Sequence, residues 1–202
     1  MVMTGKDAPS WQTAYEQVTG SFDKASKIRY GESAVTELEH ALQCAELADH
    51  AGADDELVFA AMLHDVGRYA VPQELVSDTL QDVDIVDNAR GHGERGAQLM
   101  ANMLPARSLF CIRYHAESKL YLCQTNPNYR AKLAGASVKT LAVQSANYDQ
   151  ARLDELSGHR WWPDAIRIRV WDDTAKVKGR DTRPLDYWVV RLEKFLDEIH
   201  PG

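Results

Sequence analysis

The feature that most limits how this chain can fold is an apolar helical run that ends in the adjacent pair His64 and Asp65. Three acids, residues 54–56, precede the run and suit a helix start, where they accept hydrogen bonds from free amides and face the positive end of the helix dipole. Gly67 suits a helix end. We therefore predict a helix from residue 54 or 55 to about residue 66, with the pair in its last turn.

Adjacent helical positions project about 100° apart, so the imidazole of His64 and the carboxylate of Asp65 can hold one metal ion or bridge two. An isolated His-Asp pair is more often a buried ion pair, or an aspartate that caps a turn. Further ligand-type side chains occur in other segments with helical patterns: His40, His92, His115 and Asp172. Their presence favours a metal site.

Helical spacing continues along the chain, and no segment gives a clear strand pattern. We predict helices over residues 11–18, 34–51, 54–66, 106–122, 163–172 and 184–199, a helix entry at 94–100 just after His92, and short helical pieces at 129–133 and 137–145. We expect a polar link at 19–27, a polar and mobile stretch at 147–160, and a loop or lid over the site at 70–83. The predicted fold class is all-α, a helical bundle with a metal site in its core.

Composition narrows the class of protein. The 202 residues suffice for one domain with a full core. The 23 basic and 30 acidic residues give a net charge of −7, which argues against nucleic acid or an anionic membrane as a partner. No apolar run approaches the roughly 18 residues needed to span a bilayer, and residues 1–10 lack the apolar core of a signal peptide. We therefore expect a cytoplasmic protein.

The three cysteines predict no metal or disulfide framework of their own. Cys44, Cys111 and Cys123 are an odd number without C-x-x-C spacing, which is typical of reduced and mostly buried thiols. A structural zinc site of the thiolate type is therefore not expected.

Two cations lie at helical spacing from candidate ligands. Lys119 follows His115 by four residues, and Arg169 precedes Asp172 by three, so each pair shares a helix face. A metal-binding side chain that shares a helix face with a cation is suited to binding an anion that also contacts the metal. The alternatives are a solvated helix face for Lys119 and a surface salt bridge for Arg169. His40, which projects on the apolar side of its helix, has the alternative of a hydrogen-bonded core histidine.

Four imidazoles and two carboxylates form the candidate ligand set: His40, His64, Asp65, His92, His115 and Asp172. One zinc ion needs at most four protein ligands, so two ions that share a carboxylate fit better. Mixed imidazole and carboxylate ligands suit iron or manganese about as well as zinc, and spacing does not choose among them. We leave out His50, His159 and His200, which lie at a helix end or in polar and terminal stretches.

The order H…HD…D resembles the HD superfamily, an all-α fold that mostly holds metal-dependent phosphohydrolases, and the two further histidines resemble its two-metal branch. Several segments more narrowly resemble the mixed-valent di-iron oxygenases that cleave 1-hydroxy-2-aminoethylphosphonates: residues 38–45, 60–69, His115-x-x-x-Lys119, 136–141 and 168–172. The similarity covers roughly residues 30–178. It implies an HD-type catalytic domain over residues 28–202, after an N-terminal helical extension over residues 1–27.

The resemblance also implies roles for individual residues. The cofactor would be an Fe2+/Fe3+ pair, with O2 as co-substrate. The ligands it implies are His40, His64 and Asp172 for one iron, His92 and His115 for the other, and Asp65 as the bridge. The phosphonate would be held by Lys119, Arg169 and Ser137, and Tyr30 would lie near the open iron position until substrate arrives. His64, Asp65 and Tyr30 are thus the candidate catalytic residues.

Two positions depart from the aminophosphonate oxygenases. Arg68 stands where that family has a histidine that helps to bind the phosphonate. An arginine can also bind it, through the N–H donors of its larger guanidinium group. Ser33 stands where the family has the glutamate that holds the substrate's primary ammonium. A quaternary ammonium has no N–H to donate, so Ser33 favours the trimethylammonium analogue. Glu32 could compensate if the loop shifts by one residue.

The implied reaction is oxidative cleavage of a C–P bond, which releases phosphate and either glycine betaine or glycine. The implied partner is a small phosphonate, and the sequence leaves the oligomeric state open. The main alternative is an HD phosphohydrolase that acts on a nucleotide or phosphate ester through metal-activated water. A binding module with structural metals and a myo-inositol oxygenase are further alternatives.

Overall fold

The computed structural model describes residues 10–31, 33–70, 84–133, 141 and 149–201, with the backbone alone for residues 84–90. The helices in chain order are α1 Trp11–Gly20, α2 Phe22–Ala25, α3 Glu37–His50, α4 Asp55–Leu63, α5 Asp84–Leu99, α6 Ala106–Thr125, α7 Pro127–Lys132, α8 Gln150–Ser157, α9 Trp162–Thr174 and α10 Leu185–Ile199. A single 3-10 turn, Val66–Arg68, follows α4. Within these residues, the β-structure is an isolated bridge between Arg29 and Thr36. The all-α prediction is confirmed.

Helix α4 forms the centre of the bundle. It packs against α3, α6, α9 and α10, and every residue from Leu57 to Leu63 is buried. A helix that is apolar on all sides has to lie inside a protein. The chain therefore leaves α4 in the interior, so the next two residues, His64 and Asp65, begin inside the bundle.

Local capping sets where α3 and α4 begin. The Thr36 hydroxyl accepts a hydrogen bond from the Glu39 amide at 3.1 Å, and the Glu39 carboxylate accepts one from the Thr36 amide at 2.6 Å. This reciprocal cap starts α3 at Glu37, three residues later than predicted. The Asp54 carboxylate accepts from the Leu57 amide at 3.1 Å, so the predicted start of α4 is confirmed.

The predicted end of α4 is wrong by three residues. The helix ends at Leu63, and His64 and Asp65 lie between it and the 3-10 turn. Gly67 does not end the helix through a positive φ. It lies so close to α5 that a Cβ there would be 2.0 Å from the His92 carbonyl oxygen. This tight packing, which depends on a distant segment, explains the glycine.

His92 lies within α5, and the predicted helix entry after it is wrong. The helix runs from Asp84 to Leu99 through Gly91 and Gly93. A Cβ at Gly93 would be 2.7 Å from the Arg113 carbonyl oxygen, so this glycine allows α5 to approach α6 closely. Residues 71–83 of the predicted lid, and all of the predicted helical piece at 137–145 except residue 141, lie outside the described residues.

The predicted polar link at 19–27 and the polar stretch at 147–160 both contain helices with buried residues. The segment after α1 forms α2, where Phe22 is 2% exposed. The stretch predicted to be mobile forms α8, which buries Leu153 and Leu156. Two or fewer apolar residues in a polar context do not stand out from the sequence, although they attach each segment to the core.

The last helix lies over the outside of α4 and α3. Its buried face consists of Trp188, Leu192, Phe195 and Leu196, which recur at helical spacing. None of the helices in the described part of the chain is both long and apolar enough to cross a bilayer.

Candidate metal centre

Six buried side chains from five segments converge in the interior, each at most 6% exposed. They are the six candidate ligands: His40 on α3, His64 and Asp65 after α4, His92 on α5, His115 on α6 and Asp172 on α9. Asp65 lies in the middle of this group. The structure therefore brings together the residues that the sequence suggested, and their role as ligands stays a prediction.

The two carboxylate oxygens of Asp65 face different pairs of histidines. Oδ1 lies 3.0 Å from His92 Nε2 and 3.6 Å from His115 Nε2. Oδ2 lies 3.3 Å from His64 Nε2 and 3.8 Å from His40 Nε2. A carboxylate placed in this way has the arrangement expected of a bridge between two ions.

Asp172 joins only one of the two histidine pairs. Its Oδ1 lies 3.5 Å from His40 Nε2, and its Oδ2 lies 3.8 Å from His64 Nε2. In the other pair, His92 Nε2 lies 2.9 Å from His115 Nε2. The geometry thus groups the residues into one set of three and one set of two, with Asp65 between them.

Three of the histidines are oriented by the backbone. The Nδ1 atoms of His40, His64 and His115 lie 2.7 to 2.8 Å from main-chain carbonyl oxygens, those of Ala175, Ala61 and Ile112. A carbonyl only accepts, so each ring carries a proton on Nδ1 and, when neutral, directs the lone pair of Nε2 into the centre. Metal-binding histidines are commonly held in this way.

The ionisation of the group suits a cation. Burial lowers the pKa of His40 to about 3 and that of His115 to about 4, so both rings are neutral at ordinary pH. Burial opposes the ionisation of Asp65, yet the charges of His64 and Arg68 keep its pKa well below the usual range. Burial likewise lowers the pKa of His64, but the neighbouring Asp65 outweighs this and raises it. The acids therefore favour positive charge at this point.

These residues fit a pair of metal ions. Asp65 Oδ2 has no hydrogen-bond partner among the described residues. His40 and His64 bring their Nε2 atoms within 3.4 Å of each other although each directs its Nδ1 proton elsewhere. A cation between them would be bound by the lone pair of His40 and, in place of the proton, by that of His64. Imidazole and carboxylate donors suit iron, manganese or zinc. The thiol of Cys44, 3.7 Å from His40 Nε2, is a buried neighbour that the sequence did not include.

Tyr30 lies directly against this centre. Its ring stacks on His40 with 3.8 Å between centroids, and its hydroxyl donates to Asp172 Oδ1 at 3.0 Å. Burial raises its pKa well above the usual value, and the charge of Asp172 adds to this effect. Tyr30 is therefore a protonated hydrogen-bond donor at working pH.

Comparison with known proteins agrees with the motif. The family model described as HD domain matches residues 38–144. The chain belongs to the HD-domain family. It is 32% identical over 190 residues to the [1-hydroxy-2-(trimethylamino)ethyl]phosphonate dioxygenase (glycine-betaine-forming) of Leisingera caerulea, an alignment that covers 93% of this chain and 92% of the relative. It is also 32% identical over 189 residues to the hydroxymethylphosphonate dioxygenase of Gimesia maris, covering 92% and 91%.

The two cations expected to bind a phosphonate are both buried; Lys119 lies within the residues that the HD-domain model matches, and Arg169 lies after them. Lys119 is 4% exposed and Arg169 is 5% exposed, so neither sits on a solvated helix face. Burial lowers the pKa of Lys119 to about 8. The Arg169 guanidinium lies 2.5 Å from Asp172 Oδ2 and also contacts Asp173. The predicted pairing of Arg169 and Asp172 exists, but it is buried.

Arg68 is paired with an acid that the sequence did not single out. Its Nη2 lies 2.8 Å from Glu37 Oε1, and its guanidinium carbon lies 4.9 Å from the centroid of the Tyr30 ring. Glu37 is 2% exposed, and burial raises its pKa to about 7. An acid in the first turn of a helix usually faces solvent, so nothing in the sequence indicated its burial.

The residues near the expected ammonium pocket are only partly described. The Ser33 hydroxyl donates to the Tyr30 carbonyl oxygen at 2.7 Å, so it stabilises the turn that carries Tyr30. Glu32 and Ser137 lie outside the described residues. Two of the histidines set aside pack on aromatic rings: His159 on Phe110 at 4.0 Å and His200 on Trp11 at 5.3 Å.

The sequence also missed Lys176, Asp173 and Tyr129. Lys176 Nζ lies 3.2 Å from Asp172 Oδ1 and 5.3 Å from the Tyr30 centroid. Its spacing from Asp172, i to i+4, is the same pattern that pointed to Lys119, so this signal was present. Tyr129 and Asp173 contact each other across 44 residues of sequence, and no local pattern reveals such a pair.

Proposed function

We propose that this protein is a non-haem di-iron dioxygenase that cleaves the C–P bond of a 1-hydroxyphosphonate with O2. The proposed substrate is 1-hydroxy-2-(trimethylammonio)ethylphosphonate, which would give glycine betaine and phosphate; the 2-amino analogue would give glycine. The position of Asp65 between two buried histidine pairs carries this proposal. The two phosphonate dioxygenases among the relatives support it. We place the reaction in the cytoplasm, since all three cysteines are free thiols.

The proposed ligands form the two sets described above, with Asp65 between them. His40, His64 and Asp172 would hold one iron, His92 and His115 the other, and Asp65 would bridge them. Iron bound in such a site supplies redox chemistry with O2 and Lewis acidity toward the oxygens of the substrate. In the overall reaction the carbon that carries phosphorus is oxidised to a carboxylate, and the two atoms of O2 balance the carboxylate and phosphate formed.

The other polar groups would bind and orient the substrate. Arg169 and Lys119 are buried cations on two helices that meet at the centre, and they would neutralise the phosphonate charge. Tyr30 would lie beside the reacting end, with its hydroxyl on Asp172 until substrate displaces it. The low exposure of all these side chains would exclude bulk water from the reaction.

The most specific part of the proposal concerns the substituent on the substrate nitrogen. Ser33 offers no negative charge, and its hydroxyl is already engaged with the backbone. A primary ammonium needs hydrogen-bond acceptors, whereas a trimethylammonium group needs none. The Leisingera caerulea relative is named for that substrate, which supports the trimethylammonio compound over the amino compound.

One assay tests the activity. Iron-loaded protein is supplied with ascorbate and air, and phosphate release is followed from the trimethylammonio, amino and unsubstituted hydroxymethyl phosphonates in parallel. We expect release that requires O2 and is fastest with the trimethylammonio compound. A preference for the amino compound would contradict the role given to Ser33. Release from none of them, together with anaerobic hydrolysis of a nucleotide, would replace the proposal with a phosphohydrolase.

A further inference from the structure

The guanidinium group of Arg169 is held by two neighbouring carboxylates. Its Nε donates to Asp173 Oδ2 at 3.0 Å, its Nη2 donates to Asp173 Oδ1, and its Nη1 lies 2.5 Å from Asp172 Oδ2. A guanidinium group has five N–H donors in a rigid plane. These contacts use three of them, so one on each Nη has no acceptor among the described residues and can meet another group.

Asp173 accepts three hydrogen bonds, two of them from this guanidinium group. Besides the two donors of Arg169, its Oδ2 accepts from the Tyr129 hydroxyl at 2.5 Å, and its Oδ1 lies 3.6 Å from Lys176 Nζ. A carboxylate offers about four acceptor positions. Three of these positions are taken by hydrogen bonds from Arg169 and Tyr129, whereas the oxygens of Asp172 also face His40 and His64.

Tyr129 connects this group to a second helix. It lies on α7, which follows α6 directly, whereas Asp173 lies on α9. Burial raises the pKa of Tyr129 above the usual value, so its hydroxyl keeps its proton and remains a donor. The hydrogen bond therefore joins α7, the segment that follows the helix of Lys119, to the helix of Arg169.

We propose that Asp173 is a positioning residue that orients Arg169 toward the phosphonate, and that Tyr129 reinforces it. This inference rests on the proposed function and adds a specific determinant of phosphonate affinity. A two-point contact fixes the plane of the guanidinium group, so its two remaining N–H donors point in one direction. Without Asp173, the same fork would turn to Asp172, the other carboxylate within reach.

The test compares Asp173→Asn with a matched control, Asp164→Asn. Asp164 lies on the same helix and also contacts two arginines, with Arg107 Nε at 2.9 Å and Arg167 Nη1 at 3.4 Å, but it is about 13 Å away along the helix axis. We expect Asp173→Asn to raise the KM for the phosphonate by about tenfold, with kcat and the iron content close to those of the wild type. Asp164→Asn should leave the KM unchanged.

Tyr129→Phe provides a second, nearly isosteric variant. It removes one hydroxyl from the same carboxylate, so we expect a KM increase of about threefold. Because Tyr129 acts through Asp173, the double variant should be no worse than Asp173→Asn alone. Additive effects of the two changes would show that Tyr129 acts separately, which would overturn its part in the proposal.

The outcomes separate this inference from the proposed function. An unchanged KM in Asp173→Asn, a fall in kcat alone, or loss of iron would overturn the inference while phosphate release by the wild type upholds the function. Binding of hydroxymethylphosphonate to the anaerobic iron-loaded protein gives a readout without turnover, and we expect it to weaken in Asp173→Asn. If the wild type released no phosphate from any phosphonate, both proposals would fall.

Discussion

Two clusters of ion pairs in this protein differ in the depth of their most buried pair. The inner cluster consists of Arg169, Lys176, Asp172 and Asp173 on and just after α9. The outer cluster consists of Arg183, Arg191, Glu46, Asp49 and Asp55, and it attaches the last helix to α3 and α4. Both contain arginine forks on carboxylates at similar distances, so composition and geometry alone do not distinguish them.

The exposure of these side chains decides how much each ion pair contributes to stability. The side chains of Asp172 and Arg169 are 2% and 6% exposed and those of Lys176 and Asp173 are 18% and 21% exposed, whereas those of the outer cluster range from 12% for Glu46 to 35% for Asp55. Water screens the outer pairs, and each contributes about 1 kcal/mol or less. Burying the inner charges costs solvation, so such clusters are inefficient as stabilisers. The inner cluster is therefore better explained by the anion and metal chemistry proposed beside it.

The largest expected effect is that of Asp172→Asn in the inner cluster. Removing a proposed ligand should lower the iron content and reduce phosphate release by more than about a hundredfold. The matched change in the outer cluster, Asp49→Asn, should leave both unchanged. Elemental analysis and the phosphate assay measure the two quantities. Full iron content and activity in Asp172→Asn would remove the functional distinction between the clusters.

The next effect concerns stability and pH at Glu37. Burial raises its pKa to about 7 from an ordinary value of 4.5, so the folded state retains a proton that the unfolded state releases. Wild-type stability should therefore fall between about pH 4.5 and pH 7, by at most about 1.4 kcal/mol per pH unit. Glu37→Gln has no carboxyl group to titrate, so its stability does not fall in this way. Its free energy of unfolding in urea, relative to that of the wild type, should therefore increase from pH 5 to pH 8.

Asp49 serves as the outer control for this measurement. Hydrogen bonds from Arg191 and Arg183 lower its pKa, against the effect of burial. Its contribution is therefore present above its ordinary pKa of 3.8 and is lost only in more acidic solution. Asp49→Asn should show the same difference from the wild type at pH 5 and pH 8. A constant difference for Glu37→Gln as well would contradict the role of its burial.

A smaller effect is expected from the titration of Lys119. With its pKa lowered to about 8 by burial, it loses its charge as the pH rises through 8, so kcat/KM for the phosphonate should fall about tenfold per pH unit above that point. Folding should respond in the opposite direction, with stability rising from about pH 8 toward 10.5. In Lys119→Arg, the fall in kcat/KM should begin at a higher pH. If it begins at the same pH as in the wild type, the titrating group is not Lys119.

The smallest effect is that of Arg191→Met in the outer cluster. The variant keeps most of the alkyl chain and loses the contacts to Asp49 and Asp55, so the free energy of unfolding should fall by about 1 kcal/mol. The difference should shrink at high salt because screening already weakens the wild-type pairs. The KM for the phosphonate should stay the same. A change in KM would mean that the outer cluster also influences the site.

The sequence predicted best those helices whose ends and faces are decided locally. Prolines at 105, 163 and 184 lie within one residue of the starts of α6, α9 and α10, so the predicted starts of these helices are close to those observed. The candidate ligands were also visible, because imidazoles and carboxylates are unusual on apolar helix faces. Their convergence into one centre required the structure.

What the sequence could not predict depends on contacts between distant segments. Gly67 was predicted to end the helix, but its lack of a side chain allows the backbone there to lie close to the His92 carbonyl group. Glu37 stands in the first turn of a helix, where acids usually face solvent, and only the position of Arg68 shows that it is paired inside the protein. Such burial has no local signature.

The hydrogen bonds from histidine Nδ1 atoms to main-chain carbonyls bear on how the protein would acquire its metal. Since folding alone orients these rings, capture of an ion needs little further ordering of the chain and its entropic cost is small. His40 and His115 are also neutral near pH 7, so they release no protons when an ion binds. Metal uptake at these two positions should consequently be nearly insensitive to acidity across the physiological range.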